Sequence, residues 1–281
     1  MERLLLIDGS NLLFQMFFGM PARIVNEQGK AIQGTLGFVG AMLKIIRMAE
    51  PTHMAVIFDG EHENPRCELD SAYKANRPDY STVCEEENPF SQLPDVYKAL
   101  DFLGIRYIET MDCEADDLIA GYALSFGRNE EVVIASFDSD FFQLITDKVS
   151  VLRYRGEKTM ICTPEYIKEK FDIMPEQYAD WKSLVGDTAD NIKGAEKVGA
   201  KTAAALLHEF GTLEQILLDA EKIAKPSVRE SILRNADRLR INYQMIKLGG
   251  GAALPFSGQE LAYRYDGRTT NEVLKGIGLR R

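Results

Sequence analysis

The chain has 281 residues, of which 45% are hydrophobic and 27% charged, so it can bury a large core in one elongated domain or two coupled ones. No apolar run approaches the roughly 20 residues of a membrane span. The four cysteines are widely spaced and form no CxxC pair, so neither a zinc site nor a disulfide framework is indicated, and a reduced cytoplasmic setting is the default expectation. The formal net charge of −10 argues against a nucleic-acid partner, unless bound metal ions neutralise part of it.

Strands alternate with helices through the first part of the chain. Apolar runs predict strands at residues 3–8, 53–59, 105–108, 132–137 and 149–154, with helical patterns between them. This alternation predicts a doubly wound, mostly parallel α/β sheet over residues 1–162. One polar segment, at about 66–94, interrupts the pattern, and we expect it to form a mobile loop or a short arch.

Carboxylates follow three of these strands. Asp8 closes the first strand, Asp59 closes the second, and Asp138 follows the run at 132–137, with Asp140 two residues later. Glu114-Ala115-Asp116-Asp117 opens an apolar helix, where an acidic first turn would also simply suit the helix dipole. The carboxyl ends of parallel strands meet in one crevice, and so many carboxylates would repel one another there without cations. The pattern therefore predicts an all-oxygen site for Mg²⁺ or Mn²⁺.

After Thr163 the pattern changes to successive helices, which predicts a second, helical region over residues 163–281. Residues 181–210 are typical of a helix-hairpin-helix, in which a glycine-rich turn joins two helices. Lys193, Lys197 and Lys201 recur there at four-residue intervals. Backbone N–H groups and lysines in such a turn can hold a phosphate backbone, although a plain turn between helices remains the alternative.

These motifs together resemble the 5′-nuclease family, which includes flap endonucleases and the N-terminal nuclease domain of bacterial DNA polymerase I. The chain looks most like the stand-alone bacterial members, and the likeness extends to about Leu217. The motifs occur in family order and spacing: Ile7-Asp8-Gly9-Ser10-Asn11, Phe58-Asp59, Tyr73-Lys74-Ala75-Asn76-Arg77, Glu114-Ala115-Asp116-Asp117, Asp138-Ser139-Asp140, and Gly186-Asp187 to Thr202. The resemblance implies a PIN-like α/β fold with a DNA-binding helix-hairpin-helix.

The resemblance also implies two metal ions, Mg²⁺ or Mn²⁺, held by carboxylates directly or through water. The first ion would be held by Asp8, Asp59, Glu114 and Asp116, and the second by Asp138, Asp140 and Asp187, with Asp117 and Asp190 in support. Lys74 and Arg77 match the family's basic pair at the scissile phosphate. Further contacts with DNA are implied for Arg66, Tyr73, Lys193, Lys197, Gly199, Lys201 and Thr202, and a K⁺ ion is often bound in this hairpin.

The function implied is a divalent-metal-dependent 5′→3′ exonuclease or flap endonuclease, acting as a monomer in replication or repair. Its partner would be DNA, or an RNA/DNA hybrid, with a 5′ end, flap or nick, and no membrane. Two alternatives stay open. A DNA-junction binder with little catalysis would have no use for the full set of carboxylates, and a metal-dependent RNase would have no need of a duplex-binding hairpin.

Several positions depart from the family pattern. Gln15 stands where an Arg is usual, and Phe137 and Ser139 replace a Gly and a Lys or Arg beside the second metal. Lys197 replaces a Gly in the hairpin, where a side chain restricts φ and affects the K⁺ site. Glu85-Glu86-Glu87 places negative charge in the arch, where it either faces solvent or weakens the capture of long single-stranded flaps.

Overall fold

The structure, a computed structural model, describes residues 2–20, 22–60, 66–78, 80–249 and 251–280. Within these residues the strands are β1 (Arg3–Asp8), β2 (His53–Phe58), β3 (Arg106–Glu109), β4 (Glu131–Ala135), β5 (Val149–Arg153), β6 (Met160–Cys162), β7 (Gly186–Asp187) and β8 (Ile192–Lys193). The first six form one sheet in the order β3-β2-β1-β4-β5-β6, parallel except for β6. The predicted α/β fold with a mostly parallel sheet is confirmed.

Helices cover both faces of this sheet and are the main regular elements in the second half of the described chain. In the described residues they are α1 (Gly9–Gly19), α2 (Gln33–Ala49), α3 (Arg66–Leu69), α4 (Leu93–Leu103), α5 (Ala115–Phe126), α6 (Pro164–Phe171), α7 (Tyr178–Val185), α8 (Ala200–Phe210), α9 (Leu213–Leu218), α10 (Pro226–Arg234), α11 (Ala236–Ile246) and α12 (Thr270–Gly276). None of them combines the length and the apolar character that crossing a membrane requires.

Strand β1 shows why the apolar runs of this chain become buried parallel strands. Leu4 and Leu6 pack in the core with α5, whereas Leu5 and Ile7 pack in the opposite core with α1, α2 and α4. Because both faces are covered, the four positions from Leu4 to Ile7 are all apolar, and they form a continuous apolar run rather than an alternation.

The strand order places a crevice at the end of β1. The chain leaves β1 towards β2 and β3 on one side, and β4, β5 and β6 lie on the other. Parallel sheets bind their ligands at such a reversal of strand order, outside the carboxyl ends of the strands. Asp8 closes β1 at this point, and Ser136 follows β4 beside it.

The end of the chain returns to the sheet. The Tyr263 N–H donates to the Thr52 carbonyl at 2.8 Å, and the Met54 N–H donates to the Leu261 carbonyl at 2.9 Å. Val273 of α12 is buried in the core formed with α2 and α4. The last residues of the described chain thus pack on the α/β region, although they follow the helical one.

The predicted arch at 66–94 consists of α3, turns and two short 3₁₀ segments, and residue 79 lies outside the described part. Its aromatic rings rest on α1: Tyr80 and Phe90 each lie edge-on to Phe14, with centroids 5.2 Å apart. Glu86 forms a two-pronged ion pair with Arg23, whose shortest N–O distance is 2.6 Å. Glu86, the middle residue of the acidic triplet, therefore forms an ion pair at the protein surface.

Candidate metal centre

The first group of carboxylates gathers at the carboxyl ends of β1, β2 and β4 and at the start of α5. Asp116 lies at its centre. Burial raises the pKa of Asp116 well above its ordinary range, and repulsion from Asp138, Asp8 and Asp59 raises it further. Four acidic side chains from four separate elements are thus close enough to repel one another when all are ionised. A bound cation would reduce this repulsion.

Asp8 and Asp59 are held in place by helix N-termini. Asp8 caps α1, where its carboxylate accepts the Asn11 N–H at 3.0 Å and the Ser136 hydroxyl at 2.8 Å. Asp59 accepts the Ala115 N–H at 2.9 Å, so it caps the first turn of α5. Burial, with repulsion from Asp59, nevertheless raises the pKa of Asp8 from 3.8 to about 7.

Glu114 occupies the position before α5 and is bound by two cations. Its buried carboxylate forms ion pairs with Arg66 and Lys74 and accepts the Tyr73 hydroxyl at 3.3 Å. Arg66 also forms an ion pair with Asp117 at 2.8 Å. Asp117 therefore lies against Arg66, and the structure links it to the other carboxylates through that guanidinium.

Arg66, predicted to contact DNA, lies inside the protein. It is 9% exposed and is held between Glu114 and Asp117. Tyr73, also predicted to contact DNA, is 6% exposed, and burial raises the pKa of its hydroxyl far above the ordinary value. Both side chains face the carboxylates, so the arrangement fits positioning of Glu114 better than contact with a DNA backbone.

A second group of carboxylates lies where the helical region meets the sheet. Oxygen atoms of Asp140, Asp187 and Asp190 all lie within 4.8 Å of one another. Burial, with repulsion from Asp138, raises the pKa of Asp140 from 3.8 to about 7. Three oxygen ligands without nitrogen or sulfur suit a hard divalent cation such as Mg²⁺ or Mn²⁺.

Lys182 of α7 enters this second group, although the sequence did not single it out. Its side chain is 7% exposed, and its ammonium forms ion pairs with Asp140 and, at 2.6 Å, with Asp187. Burial alone would lower the pKa of Lys182, but the neighbouring carboxylates raise it well above the ordinary value. Burial alone would raise the pKa of Asp187, but the ion pair with Lys182 lowers it below the ordinary value. A charged residue within the apolar stripe of α7 was the signal available in the sequence.

The basic pair Lys74 and Arg77 lies between the two groups of carboxylates. Lys74 reaches Glu114, and its backbone N–H donates to the Asp190 carbonyl at 3.1 Å. Arg77 forms an ion pair with the Asp190 carboxylate at 2.8 Å. Lys74 has a φ of +54°, in the left-handed region that a side chain disfavours, and such strain is common at functional sites.

The hairpin joins the second group of carboxylates to an exposed basic surface. Helix α7 leads into the β7–β8 hairpin and then into α8, which gives a helix–hairpin–helix. Asp187 lies in β7, so the element that supplies metal-ligand candidates also carries the exposed lysines. Those lysines are Lys193, Lys197 and Lys201. A Cβ at Gly186 would lie 2.5 Å from the Gly194 nitrogen, and its φ is +89°, so only glycine fits this turn.

Lys197 has a backbone conformation that favours glycine. Its φ is +64°, in the left-handed region, and Gly199 then caps α8 with Thr202 in the first turn. The fold of the turn is therefore kept despite the side chain, at an expected strain of about 1 kcal/mol.

The remaining departures from the family pattern serve local packing. Gln15 donates to the Tyr154 carbonyl at 2.7 Å and so ties α1 to the loop after β5. Arg153 lies over the Phe137 ring at 5.1 Å and donates to the Phe137 carbonyl at 2.7 Å. Phe137 and Arg153 together fix the turn that presents Asp138, a contact that no sequence spacing indicated.

Comparison with protein families gives two adjoining matches. A model described as the N-terminal resolvase-like domain of 5′-3′ exonucleases matches residues 3–172, and one described as the C-terminal SAM fold of 5′-3′ exonucleases matches residues 173–268. Similar curated proteins include the thermostable DNA polymerase I of Thermus thermophilus, 34% identical over 247 residues, which are 88% of this chain and 28% of that protein. DNA polymerase I of Bacillus subtilis is 32% identical over 281 residues, which are 99% of this chain and 31% of that protein. The chain thus spans less than a third of these relatives.

Solved structures with the same fold include the T5 5′-exonuclease with bound zinc. It has a TM-score of 0.73 and 23% identity, and the match covers 98% of both chains. The catalytic core of Rad2 in complex with DNA substrate has a TM-score of 0.59 and 15% identity, over 98% of this chain and 91% of that one. At these identities the likeness describes the fold alone, which agrees with the architecture above.

Proposed function

The chain belongs to the 5′-3′ exonuclease family, and we propose that it is a divalent-metal-dependent 5′ nuclease. On this proposal it hydrolyses DNA phosphodiesters near 5′ ends, flaps or nicks, in replication or repair. The observation that carries it is the meeting of two groups of carboxylates, with the basic pair Lys74 and Arg77 between them. Hydrolysis of a phosphodiester needs concentrated positive charge at the attacking and leaving oxygens.

We assign two Mg²⁺ or Mn²⁺ ions to the two groups. The first ion would be held by Asp8, Asp59, Glu114 and Asp116, and the second by Asp140, Asp187 and Asp190. Asp138, whose charge raises the pKa values of both Asp116 and Asp140, lies between the two groups and is assigned to the second ion. The pKa values of Asp8 and Asp140, raised chiefly by burial and further by repulsion from Asp59 and Asp138, support this assignment, because a bound cation would stabilise the buried, charged carboxylates. Once bound, the ions would activate the attacking water and neutralise charge on the leaving oxygen.

The protein's own cations would hold the reacting phosphate. In the structure Lys74 pairs with Glu114, and Arg77 pairs with Asp190. With Glu114 and Asp190 holding metal ions, Lys74 and Arg77 would be free to contact an incoming phosphate. Charge-assisted hydrogen bonds from Lys74 and Arg77 would then orient the phosphate and stabilise the charge that develops on it. Arg66 and Asp117 would act indirectly, by holding Glu114.

Duplex DNA would be held by the hairpin of the helical region. Lys193, Lys197 and Lys201 are exposed, and Gly199 opens α8, whose N-terminus favours a phosphate together with Thr202. A K⁺ ion in this turn is part of the proposal, supported by the left-handed backbone of Lys197. We thus divide the work between a region at 1–162 that supplies most of the cutting site and a region at 163–281 that holds the duplex and also contributes Asp187 and Asp190 to the second metal.

We further propose that the protein acts as a monomer, on DNA or on an RNA/DNA hybrid. A cytoplasmic setting fits the four free cysteines among the described residues.

Cleavage of matched substrates tests the proposal. Flapped, nicked and single-stranded DNA, and an RNA strand, are incubated with the protein with and without Mg²⁺. We expect metal-dependent cutting near 5′ ends, and loss of turnover by about 100-fold or more in Asp138→Asn. Asp237→Asn is the control, because that side chain is 98% exposed on α11.

The rivals give different results in the same experiment. A junction binder would retain flapped DNA without cutting it in Mg²⁺, and an RNase would cut only the RNA strand. Normal turnover by Asp138→Asn would overturn the metal assignment.

A further inference from the structure

We propose that Lys182 is an internal counter-ion, whose ammonium occupies the second metal position until a divalent ion displaces it. The inference rests on the proposed metal-dependent function and goes beyond it, because it concerns how the metal-free protein is stabilised and how the second ion enters.

The geometry places the ammonium on the metal's own ligands. Lys182 is 5% exposed and forms ion pairs with Asp140 and, at 2.6 Å, with Asp187. Those two carboxylates and Asp190 form the triad whose oxygens lie within 4.8 Å of one another. An ammonium and a divalent ion cannot both lie between the same oxygens, so binding of the ion must move the Lys182 head group.

Charge balance explains why a lysine is useful at this position. Asp140 and Asp187 are compensated by Lys182, and Asp190 is compensated by Arg77 at 2.8 Å. Each member of the triad therefore has a basic partner before any metal arrives. Without Lys182, two carboxylates would face each other inside the protein, and an uncompensated buried charge is strongly destabilising.

Lys182 lies on a rigid helix, so in the metal-free protein its ammonium stays beside Asp140 and Asp187 and balances their negative charge. It lies within α7, where all residues from 178 to 184 are buried. Its stem is anchored by the helix, whereas Lys74 and Arg77 come from the turns that follow α3. The second ion must therefore compete with a tethered ammonium, and we expect it to bind more weakly than the first.

Removal of the ammonium tests the proposal in the absence of DNA. Lys182→Met keeps the length of the side chain and deletes its charge, and Lys168→Met, an exposed position on α6, is the matched control. In EDTA we expect the melting temperature of Lys182→Met to fall by about 5 °C or more. In saturating Mn²⁺ the difference from the wild type should nearly vanish, because the ion supplies the missing charge.

Calorimetric titration with Mn²⁺ gives the second readout. We expect the weaker of two binding steps to tighten by about 10-fold or more in Lys182→Met, because no ammonium has to be displaced. Adding Asp187→Asn to Lys182→Met should restore at least half of the metal-free loss in melting temperature. This double variant keeps the inference testable even where the single variant folds poorly.

The outcomes separate the inference from the function on which it rests. Unchanged or weaker Mn²⁺ binding by Lys182→Met, beside two normal binding steps in the wild type, would overturn the counter-ion role and leave the metal centre standing. A wild-type protein that binds no Mn²⁺ would overturn both.

Discussion

In the absence of divalent ions, the stability of this protein should fall as the pH rises from 4 to 7. Asp8 and Asp140 both have pKa values raised to about 7, chiefly by burial. Between pH 3.8 and 7 the folded protein therefore holds protons that the unfolded chain has already released. Stability then decreases with rising pH, and the favourable contribution of these groups is lost as the pH passes their folded pKa.

The size of the effect follows from the pKa values. One pKa unit corresponds to about 1.4 kcal/mol, so raising one carboxyl from 3.8 to about 7 lowers the free energy of unfolding by up to about 4 kcal/mol across that range. From pH 5 to pH 7 the loss is about 2 kcal/mol for one group, because the carboxyl is still half protonated at pH 7. In a protein of this size, that is a decrease in melting temperature of about 4–8 °C.

Thermal melting in EDTA and in Mn²⁺, at several values between pH 5 and 7.5, measures this effect. With Mn²⁺ the slope should reverse, because the ion binds the deprotonated carboxylates and its affinity rises with pH. Asp8→Asn should reduce the metal-free slope, since one of the carboxyls whose pKa is raised by burial is gone. Asp237→Asn, on the surface of α11, should keep the wild-type slope. A metal-free melting temperature that stays constant or rises from pH 5 to 7 would refute the reasoning.

Three further predictions follow from individual residues. Lys74→Ala should lower single-turnover cleavage of flapped and nicked DNA alike, because Lys74 lies beside the carboxylates; a loss confined to one substrate would contradict this. Arg66→Met should lower the free energy of unfolding in urea by about 3 kcal/mol, because the buried Glu114 and the partly exposed Asp117 both lose their ion pair with Arg66; a loss below about 1 kcal/mol would contradict a stabilising role for these ion pairs. Lys197→Ala and Lys197→Gly should each reduce the salt dependence of duplex binding by a slope of about 0.9. The Gly variant should also be more stable than the Ala variant by about 1 kcal/mol, because φ is +64°, and equal stability would argue against backbone strain.

The sequence predicted the sheet and the crevice because both depend on local patterns. An apolar run followed by Asp8, and others followed by Asp59 and Asp138, are enough to place three carboxylates at one edge of a parallel sheet. Strand β6 was missed because it is three residues long, and Met160 and Ile161 in it are exposed. An exposed, antiparallel edge strand carries no apolar periodicity to detect.

Side-chain direction was the part that sequence could not provide. The family resemblance implied that Arg66 contacts DNA, yet the packing of α3 buries it between Glu114 and Asp117. Lys182 was overlooked for the converse reason, since α7 has an apolar stripe and its lysine would ordinarily extend to solvent. Both outcomes depend on how helices dock against the carboxylates, which only the three-dimensional arrangement determines.

Anomalous diffraction from a crystal grown with Mn²⁺ tests the metal centre most directly. Two peaks are expected about 3.5–4 Å apart. One should lie beside Asp8 and Asp116, and the other beside Asp140 and Asp187, with the Lys182 ammonium displaced. A map with one peak or none at these carboxylates, at saturating Mn²⁺, would contradict the two-metal assignment.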